Sequence, residues 1–332
     1  MATRPLLSIT VNKRRKGVSF MSRNGVPKIV VIGSFVTDLM SKSPHLPSPG
    51  QTLMGGPFLM GPGGKGSNQA IAAAKLGAEV DMVVSLGNDH FGDMAYDALV
   101  KAGVGVEFVK RVDSVSTGIA LIIVDDSSGE NMIVVAPGAN DLLDKSDVEK
   151  ARRSMNGADC VVMQLEVPLE IVEHAAKLAQ EAGVRVILDP APGRALSDSL
   201  LSYIDVLTPN EDEASIISGI EVTDLTTAEE AARALHSRGP QTVVITLGSG
   251  GVLALDQGKV FHIPAFEVET IDTTGAGDAF NGAFAVALAE GRSVYEACRF
   301  AAAAAALSVT KVGTSVASPR RSEVEKFLRG TL

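Results

Sequence analysis

The sequence has no tryptophan, only two cysteines in 332 residues, and an aromatic fraction of 4%. Because Cys160 and Cys298 both lie in apolar stretches, a disulfide framework and a cysteine metal site are excluded, and a reducing, cytoplasmic location is expected. The five histidines lack metal-ligand spacing. No apolar run reaches the roughly 18 residues of a membrane span. The net charge of −9 predicts neither a nucleic-acid surface nor a membrane surface.

Residues 1–25 differ in composition from the rest of the chain. They contain six basic residues and no acid: Arg4, Lys13, Arg14, Arg15, Lys16 and Arg23. An arginine-rich, acid-poor start is typical of a transit peptide, but the apolar core of a signal peptide is missing. Met21 offers a second possible start. We therefore expect an unstructured basic extension over 1–25 and a single large domain over 26–332.

Short apolar segments alternate with helical patterns along most of the domain. Buried strands are predicted at 28–33, 80–86, 160–165, 184–188, 206–207 and 242–247, and helices at 69–76, 168–182, 211–218, 227–237, 279–288 and 294–309. This order predicts an α/β fold, a three-layer αβα sandwich around a mostly parallel sheet. Segments 37–60 and 116–136, the second a hairpin pattern, interrupt the alternation and predict a small accessory sheet.

The stretch from Asp272 to Gly282, DTTGAGDAFNG, follows an alternating apolar run at 260–271 and precedes a helical segment. The glycines are therefore predicted where a strand ends and a helix begins. Free backbone amides at such a helix start, approached closely past small residues, form an anion site. Asp278 inside this turn is interpreted either as a base acting on a nucleophile that attacks the anion, or as a helix cap.

A second glycine cluster, from Gly61 to Gly66, formally matches G-x-G-x-x-G. Pro57 and Pro62 flank a doubtful strand, which disfavours a dinucleotide-binding turn, and Gly66 after Lys65 excludes a Walker A loop. A glycine-rich turn with Lys65 and Asn68 at a helix start suits polyol hydroxyls or anions; a plain loop is the alternative.

Further polar residues follow the predicted strands. Asp38 and Glu166 lie where open α/β sheets bind ligands, and a turn or capping role is the alternative. Asn210 and Glu213 share a helix face that could hold hydrated Mg²⁺ or phosphate, or form a cap. The glycine turn from Thr246 to Gly251 suits diphosphate oxygens. Together these features predict phosphoryl transfer to a hydroxyl group.

Six motifs, in this order along the chain, resemble those of the PfkB family of carbohydrate kinases. They are Gly64-Lys65-Gly66-Ser67-Asn68-Gln69, Gln164-Leu165-Glu166, Asp189-Pro190-Ala191-Pro192, Thr208-Pro209-Asn210-Glu211, Thr246-Leu247-Gly248-Ser249 and Asp272-Thr273 with Gly275-Ala276-Gly277-Asp278. The match extends from about residue 28 to 328. The resemblance implies ATP-dependent phosphorylation of D-ribose at O5, giving D-ribose 5-phosphate.

The resemblance also implies a role for each matching residue. Asp278 is implied as the base, and Gly275, Ala276, Gly277 and Asp278 as the anion hole. The implied sugar-binding residues are Asp38, Gly64, Lys65, Asn68, Glu166 and Asp278. The implied ATP-binding residues are Asn210, Thr246, Leu247, Gly248, Ser249, Gly250, Gly251, Gly277 and Asp278, with Glu213 ordering Mg²⁺ and phosphate. A K⁺ site is implied at Asp272, Thr274, Ser308, Lys311, Gly313 and Ala317. The accessory sheet is implied as a lid and homodimer interface.

Three residues depart from the pattern of the ribose-phosphorylating members. Val36 replaces a frequent sugar-binding asparagine, Ala302 a polar residue near adenine, and Ala317 a serine of the K⁺ loop. The alternatives to ribose phosphorylation are a 2-deoxyribose kinase or another PfkB sugar kinase, a catalytically silent sugar- or nucleotide-binding regulator, and a dehydrogenase using the G-x-G-x-x-G turn.

Overall fold

The computed structural model describes residues 25–330. The expected basic extension lies outside this range except for its last residue. Within the described range the strands are β1 (Lys28–Ile32), β2 (Val36–Ser43), β3 (Phe58–Gly63), β4 (Glu79–Gly87), β5 (Val104–Gly105), β6 (Val109–Val112), β7 (Gly118–Asp125), β8 (Asn131–Ala136), β9 (Cys160–Met163), β10 (Arg185–Leu188), β11 (Val206–Leu207), β12 (Thr242–Thr246), β13 (Val252–Asp256) and β14 (Lys259–Ile263).

The helices of the same range share apolar faces that cover the strands. They are α1 (Lys65–Lys75), α2 (His90–Ala102), α3 (Lys145–Lys150), α4 (Arg152–Met155), α5 (Leu169–Glu181), α6 (Asp198–Leu201), α7 (Glu211–Ser218), α8 (Leu225–Ser237), α9 (Ala276–Ala289), α10 (Val294–Ser308) and α11 (Arg321–Gly330). No helix in residues 25–330 has the length and apolar character needed to cross a bilayer.

The main sheet has the strand order β14-β13-β12-β11-β10-β9-β1-β4-β5, with β6 also paired to β4. From β12 through to β5 neighbouring strands run parallel, and β13 and β14 add an antiparallel edge. Central strands such as β9 and β10 are short, β-branched and almost fully buried, as expected for strands with helices on both faces. The predicted mostly parallel α/β fold is confirmed.

Two apolar cores fill the spaces between the sheet and its helices. Helices α1, α9 and α10 bury Phe280, Phe284 and Phe300 on one face. On the opposite face, α5 and α8 bury Val172 and Leu235. Each fully buried side chain of this size contributes roughly 1.5–3 kcal/mol to folding. The three layers are thus held by packing on both sides of the sheet.

A separate sheet with the order β3-β2-β7-β8 lies outside the main sheet. Strands β2 and β7 are parallel, whereas β2–β3 and β7–β8 are antiparallel. The β7–β8 turn is fixed by the carboxylate of Asp125, which accepts bonds from the backbone N–H groups of Ser127 and Ser128. The predicted small sheet is therefore present. Its two central strands begin at Val36 and Gly118, and β3 and β8 form its edges.

The prediction of a strand continuing to residue 271 is wrong. Strand β14 ends at Ile263, which pairs with Val252, the first residue of β13. Before Val252 the chain leaves the strand conformation at Gly251, so β14 has no strand to pair with beyond Ile263. Pro264 also has no N–H to donate, so the β-sheet hydrogen bonds end here. The apolar alternation at 264–271 belongs to irregular chain, and the Gly275 turn lies well beyond the strand end.

The G-x-G-x-x-G match also has a structural explanation. The strand before it, β3, pairs only with β2 of the small sheet among the described residues. A dinucleotide turn requires a strand of the central parallel sheet at this place. The dehydrogenase alternative is therefore not supported by the fold.

Candidate active site

The predicted site residues gather at the carboxyl ends of the parallel strands, where α1 and α9 begin. Gly275 precedes α9 with φ of 77°, a left-handed conformation that glycine adopts without strain. A Cβ at Gly277 would meet nothing within 4 Å. The backbone of this turn is therefore open to an approaching group.

The carboxylate of Asp278 is buried in the first turn of α9. It accepts a hydrogen bond from Asn68 Nδ2 at 2.9 Å and another from Gln69 Nε2 at 3.1 Å. Because its partners are on α1 and the cap position is Gly275, Asp278 does not cap α9. Burial raises the pKa of Asp278, while Lys65 and the bond from Asn68 oppose that rise.

Helices α1 and α9 cross closely enough to bring these side chains together. A Cβ on Gly282 would stand 2.7 Å from the Cβ of Ala72 and 2.8 Å from the backbone oxygen of Gln69. Real Cβ atoms do not approach that closely, so only glycine fits here. Because Gly282 has no side chain, α1 and α9 lie close enough for Asn68 and Gln69 to donate to Asp278.

A buried amide chain extends from Asp278 to a second carboxyl group. Gln69 Nε2 also donates to Asp189 Oδ2 at 2.7 Å, and Gln164 Nε2 donates to Gln69 Oε1 at 2.5 Å. Burial holds the pKa of Asp189 well above its usual range. The sequence analysis gave no role to Gln69, Gln164 or Asp189, although all three lie inside its motifs. A polar residue directly after an apolar buried strand, such as Gln164 after β9, was the available signal.

Glu166 lies beside the start of α1. Its Oε2 accepts bonds from Ser34 Oγ at 2.5 Å and from the backbone N–H of Lys65 at 2.9 Å. Gly64 has φ of 89°, and a Cβ there would lie 2.7 Å from the backbone nitrogen of Val36. Ser34 was not identified from sequence, because one serine after a strand carries no distinctive pattern.

Asp38 on β2 faces the same region from the small sheet. Burial, together with the negative charges of Glu166 and Asp278, raises the pKa of Asp38 to about 7. Lys65 supplies the compensating charge. Burial alone would lower the pKa of Lys65, but Asp278, Asp189 and Glu166 outweigh burial and raise it.

The polar residues predicted for a nucleotide lie after β11 and β12. Asn210 and Glu213 bond each other reciprocally at the start of α7, as in a capping box, with distances of 2.9 and 2.8 Å. Thr246 pairs with Asn210, and the turn from Gly248 to Gly250 follows directly. A Cβ at Gly251 would collide with the Ile263 carbonyl, so this turn requires glycine. Burial raises the pKa of Glu213. In the ligand-free structure Asn210 and Glu213 therefore cap α7, as the alternative interpretation predicted.

Asp272 connects the turn before α9 with the loop after α10. Its two carboxylate oxygens accept bonds from the backbone N–H groups of Thr274 and Gly313, both at 2.9 Å. Ser308, the last residue of α10, and Ala317 in this loop are buried, and Lys311 pairs with Glu323 at 3.0 Å. The six residues implied for K⁺ therefore belong to two adjoining segments.

All three departures from the family pattern are buried, Ala317 in the loop after α10 and the other two in regular elements. Val36 begins β2 and is buried, and Ala302 is buried in α10. Neither side chain offers a hydrogen bond.

Comparison with known proteins gives consistent results over this whole region. The model of the pfkB family carbohydrate kinases matches residues 26–321. A ribokinase from Haemophilus influenzae is 46% identical over 300 residues, covering 90% of this chain and 98% of that protein. A deoxyribokinase from Salmonella typhi is 38% identical over 301 residues, with coverage of 90% and 98%. The structure of Arabidopsis thaliana ribokinase complexed with ribose and ATP has a TM-score of 0.85 at 36% identity, covering 92% of this chain and 99% of that one.

Proposed function

Because this chain belongs to the PfkB family of carbohydrate kinases, we propose that it transfers the γ-phosphoryl group of ATP to O5 of D-ribose, giving D-ribose 5-phosphate and ADP. The observation that carries the proposal is the buried carboxylate of Asp278 within the turn whose backbone amides are open to an anion. A base beside an anion site is the arrangement that phosphoryl transfer to a hydroxyl group requires.

In the proposed reaction Asp278 accepts the proton of the 5-hydroxyl as its oxygen attacks the γ-phosphorus. Asn68 and Gln69 hold the carboxylate in place through their two bonds. The backbone amides from Gly275 to Asp278 stabilise the charge that develops on the transferred group. The raised pKa of Asp278 makes it a stronger base than an exposed aspartate would be.

The sugar is proposed to lie between α1 and the small sheet. Asp38, Gly64, Lys65, Asn68 and Glu166 surround that space. Asn68 Oδ1 is buried and has no hydrogen-bond partner within the described chain. Since buried polar atoms are almost always satisfied, this oxygen supports a ligand hydroxyl as its partner. The small sheet would close over the sugar as a lid.

ATP is proposed to lie along Thr246, Leu247, Gly248, Ser249, Gly250 and Gly251, with Asn210 beside it. Within residues 25–330 no group of three or more His, Cys, Asp or Glu side chains could hold a metal. The donors therefore fit Mg²⁺ that arrives on the ATP phosphates and takes few protein ligands, with Glu213 as the nearby carboxylate. When bound, Mg²⁺ would neutralise phosphate charge.

A K⁺ ion is proposed between the Asp272–Thr274 segment and the 308–317 loop. The donor chemistry fits, because the loop is rich in backbone carbonyls and the buried hydroxyl of Ser315 has no partner within the described residues. Asp272, Thr274, Ser308, Lys311, Gly313 and Ala317 would supply these oxygens; at Ala317 only the carbonyl remains. A cation there would steady the turn that carries Gly275.

We expect activity in sodium or Tris buffer to rise several-fold, by about 1 kcal/mol of transition-state stabilisation, when K⁺ is added. Steady-state rates at matched ionic strength measure the effect, and Asp272→Ala should abolish it. Equal rates in K⁺ and in tetramethylammonium would contradict this proposal. They would leave the proposed kinase reaction unaffected.

We expect ribose binding to weaken as the pH falls, because the ionised carboxylate of Asp38 accepts hydroxyl protons and its pKa is about 7. If only the ionised form binds, the dissociation constant rises about tenfold from roughly pH 8 to roughly pH 6. Calorimetric titration with ribose, without nucleotide, measures this. Asp38→Asn should bind more weakly and independently of pH. An unchanged pH profile in that variant would assign the titration to another group.

The sugar specificity is tested by a coupled ATP-consumption assay across pentoses, hexoses and nucleosides. Ribose is expected to be preferred, with incomplete discrimination against 2-deoxyribose because Val36 offers no polar contact. Val36→Asn should shift the kcat/KM ratio towards ribose by roughly tenfold, the worth of one hydrogen bond. An unchanged ratio would remove Val36 from the specificity argument. Preference for 2-deoxyribose would favour the deoxyribokinase alternative, and no turnover with any sugar would favour a silent regulator.

Dimerisation is proposed through the small sheet. The edge strand β8 exposes Met132, Ile133, Val134 and Val135, and β3 exposes Phe58. A long apolar edge strand is rarely left uncovered. A cytoplasmic location is proposed from the two buried free thiols and from the use of ATP.

A further inference from the structure

The last residue of α1, Lys75, directs its ammonium group into the loop that follows α10. Its Nζ donates hydrogen bonds to the backbone carbonyls of Ser315, Val316 and Ser318 at 2.8, 3.1 and 3.0 Å. An ammonium has three N–H donors and no acceptor, so these bonds use its full capacity. The loop is therefore gathered around a cation that belongs to the chain itself.

The same loop contacts three parts of the proposed active site. The N–H of Gly313 donates to Asp272 at 2.9 Å, and Thr314 Oγ1 donates to the carbonyl of Pro62 in β3 at 2.8 Å. The Thr314 side chain also lies beside the carboxyl group of Asp38. A Cβ on Gly275 would stand 3.1 Å from Thr314 Cα. The loop thus contacts both the Gly275 turn, which is the proposed anion site, and Asp38, which is proposed to bind the sugar.

Packing also contributes to the position of the loop, because Ser315, Ala317 and Ser318 are buried. Its backbone adds a bond from the Ala317 N–H to the Thr314 carbonyl at 3.0 Å. Val316 is 62% exposed, and Gly313 has a φ of 100° that few other residues adopt. The three bonds to Lys75 tie this irregular segment to the end of α1 and satisfy three of its backbone carbonyls.

We propose that Lys75 is a positioning residue for phosphoryl transfer. Its ammonium holds the 313–318 loop against Gly275 and Asp38. The loop in turn fixes the position of the Gly275 turn relative to the Asp38 carboxylate. Lys75 touches no reacting atom and acts through Thr314. The kinetic consequence rests on the proposed function, whereas hydrogen exchange tests the contact itself without substrate.

Lys75→Ala is expected to lower kcat/KM for ribose about tenfold, because small displacements of positioning groups are costly. The KM for ATP should change less, since the described loop contacts do not include the Thr246–Gly251 turn. Added n-butylammonium should restore part of kcat by occupying the three carbonyls. Tetramethylammonium at equal ionic strength should not, because it has no N–H group. Lys177→Ala, an exposed lysine of α5, is the charge control and should behave as wild type.

Hydrogen exchange of the ligand-free protein provides the second readout. In Lys75→Ala, exchange should accelerate about tenfold or more in peptides covering 272–279 and 313–318, and remain unchanged in β9 and β10. If the alanine variant does not fold, Lys75→Gln keeps two N–H donors on a shorter, uncharged side chain, and should show smaller changes in the same peptides. Unchanged exchange in these peptides would overturn the proposal. So would wild-type kcat and KM, or equal effects of the two ammonium ions.

Discussion

Replacing Asp278 with asparagine is expected to lower kcat by about 10²- to 10⁴-fold, the usual cost of removing a general base. ATP binding should persist, because the backbone of the Gly275 turn is unchanged. Rapid-quench measurement of a single turnover reports the chemical step directly and separates it from product release.

The folded state of this variant should be as stable as that of the wild type. Asp278 has a raised pKa because it is buried, so its ionised form costs folding free energy at neutral pH. A neutral amide removes that cost but keeps one acceptor oxygen for the two donors, Asn68 and Gln69, so the two effects oppose each other. We expect a melting temperature within about 4 °C of the wild-type value. Asp97→Asn, on the exposed surface of α2, is the matched control. Near-normal turnover in Asp278→Asn would show that Asp278 is not the base.

Lys65→Met is expected to reduce kcat/KM by about 10- to 100-fold and to move the acid limb of the kcat profile to higher pH by about one unit. Among the influences that lower the pKa of Asp278, the charge of Lys65 is the largest. Without Lys65, Asp278 and Asp189 lose the largest influence that opposes their burial, so more of Asp278 is protonated at neutral pH.

A full pH–rate profile with saturating ribose and ATP measures this displacement. Lys65→Arg preserves the charge, so it should keep the acid limb of the wild type even if its rate falls. An acid limb at the wild-type position in Lys65→Met would mean that the pKa of Asp278 does not depend on this lysine. The loss of rate would then come from substrate binding alone.

The fold was predictable because buried parallel strands are encoded locally. Runs such as that of β9 are apolar, short and bounded by polar or glycine residues, and the helices between them have clear starts and ends. The false extension of the strand after β14 had the right periodicity. It failed because strand formation also needs a partner, and β13 provides none beyond Val252.

The site was predictable only as far as its residues lie at strand ends or in a glycine turn. Glu166 was identified in the first way, whereas Asp278 was identified from the glycine turn at a helix start, which the structure has at Gly275. Gln69 and Asp189 were not, because their importance comes from contacts across 209 and 120 residues of sequence that local pattern does not contain. The same holds for Lys75, which sequence presents as an ordinary basic residue at the end of a helix.

In the proposed mechanism, the contact between α1 and α9 makes catalysis depend on Gly282, which lies outside the proposed sugar and nucleotide sites. Gly282 lies one turn beyond Asp278, and a methyl group there would press against the backbone of Gln69. The two helices would have to separate, taking Asn68 and Gln69 with one and Asp278 with the other. Natural variation at Gly282 should therefore be constrained as tightly as at Asp278, the proposed base. A survey restricted to residues that touch sugar or nucleotide would overlook Gly282, although its lack of a Cβ allows the two helices to pack this closely.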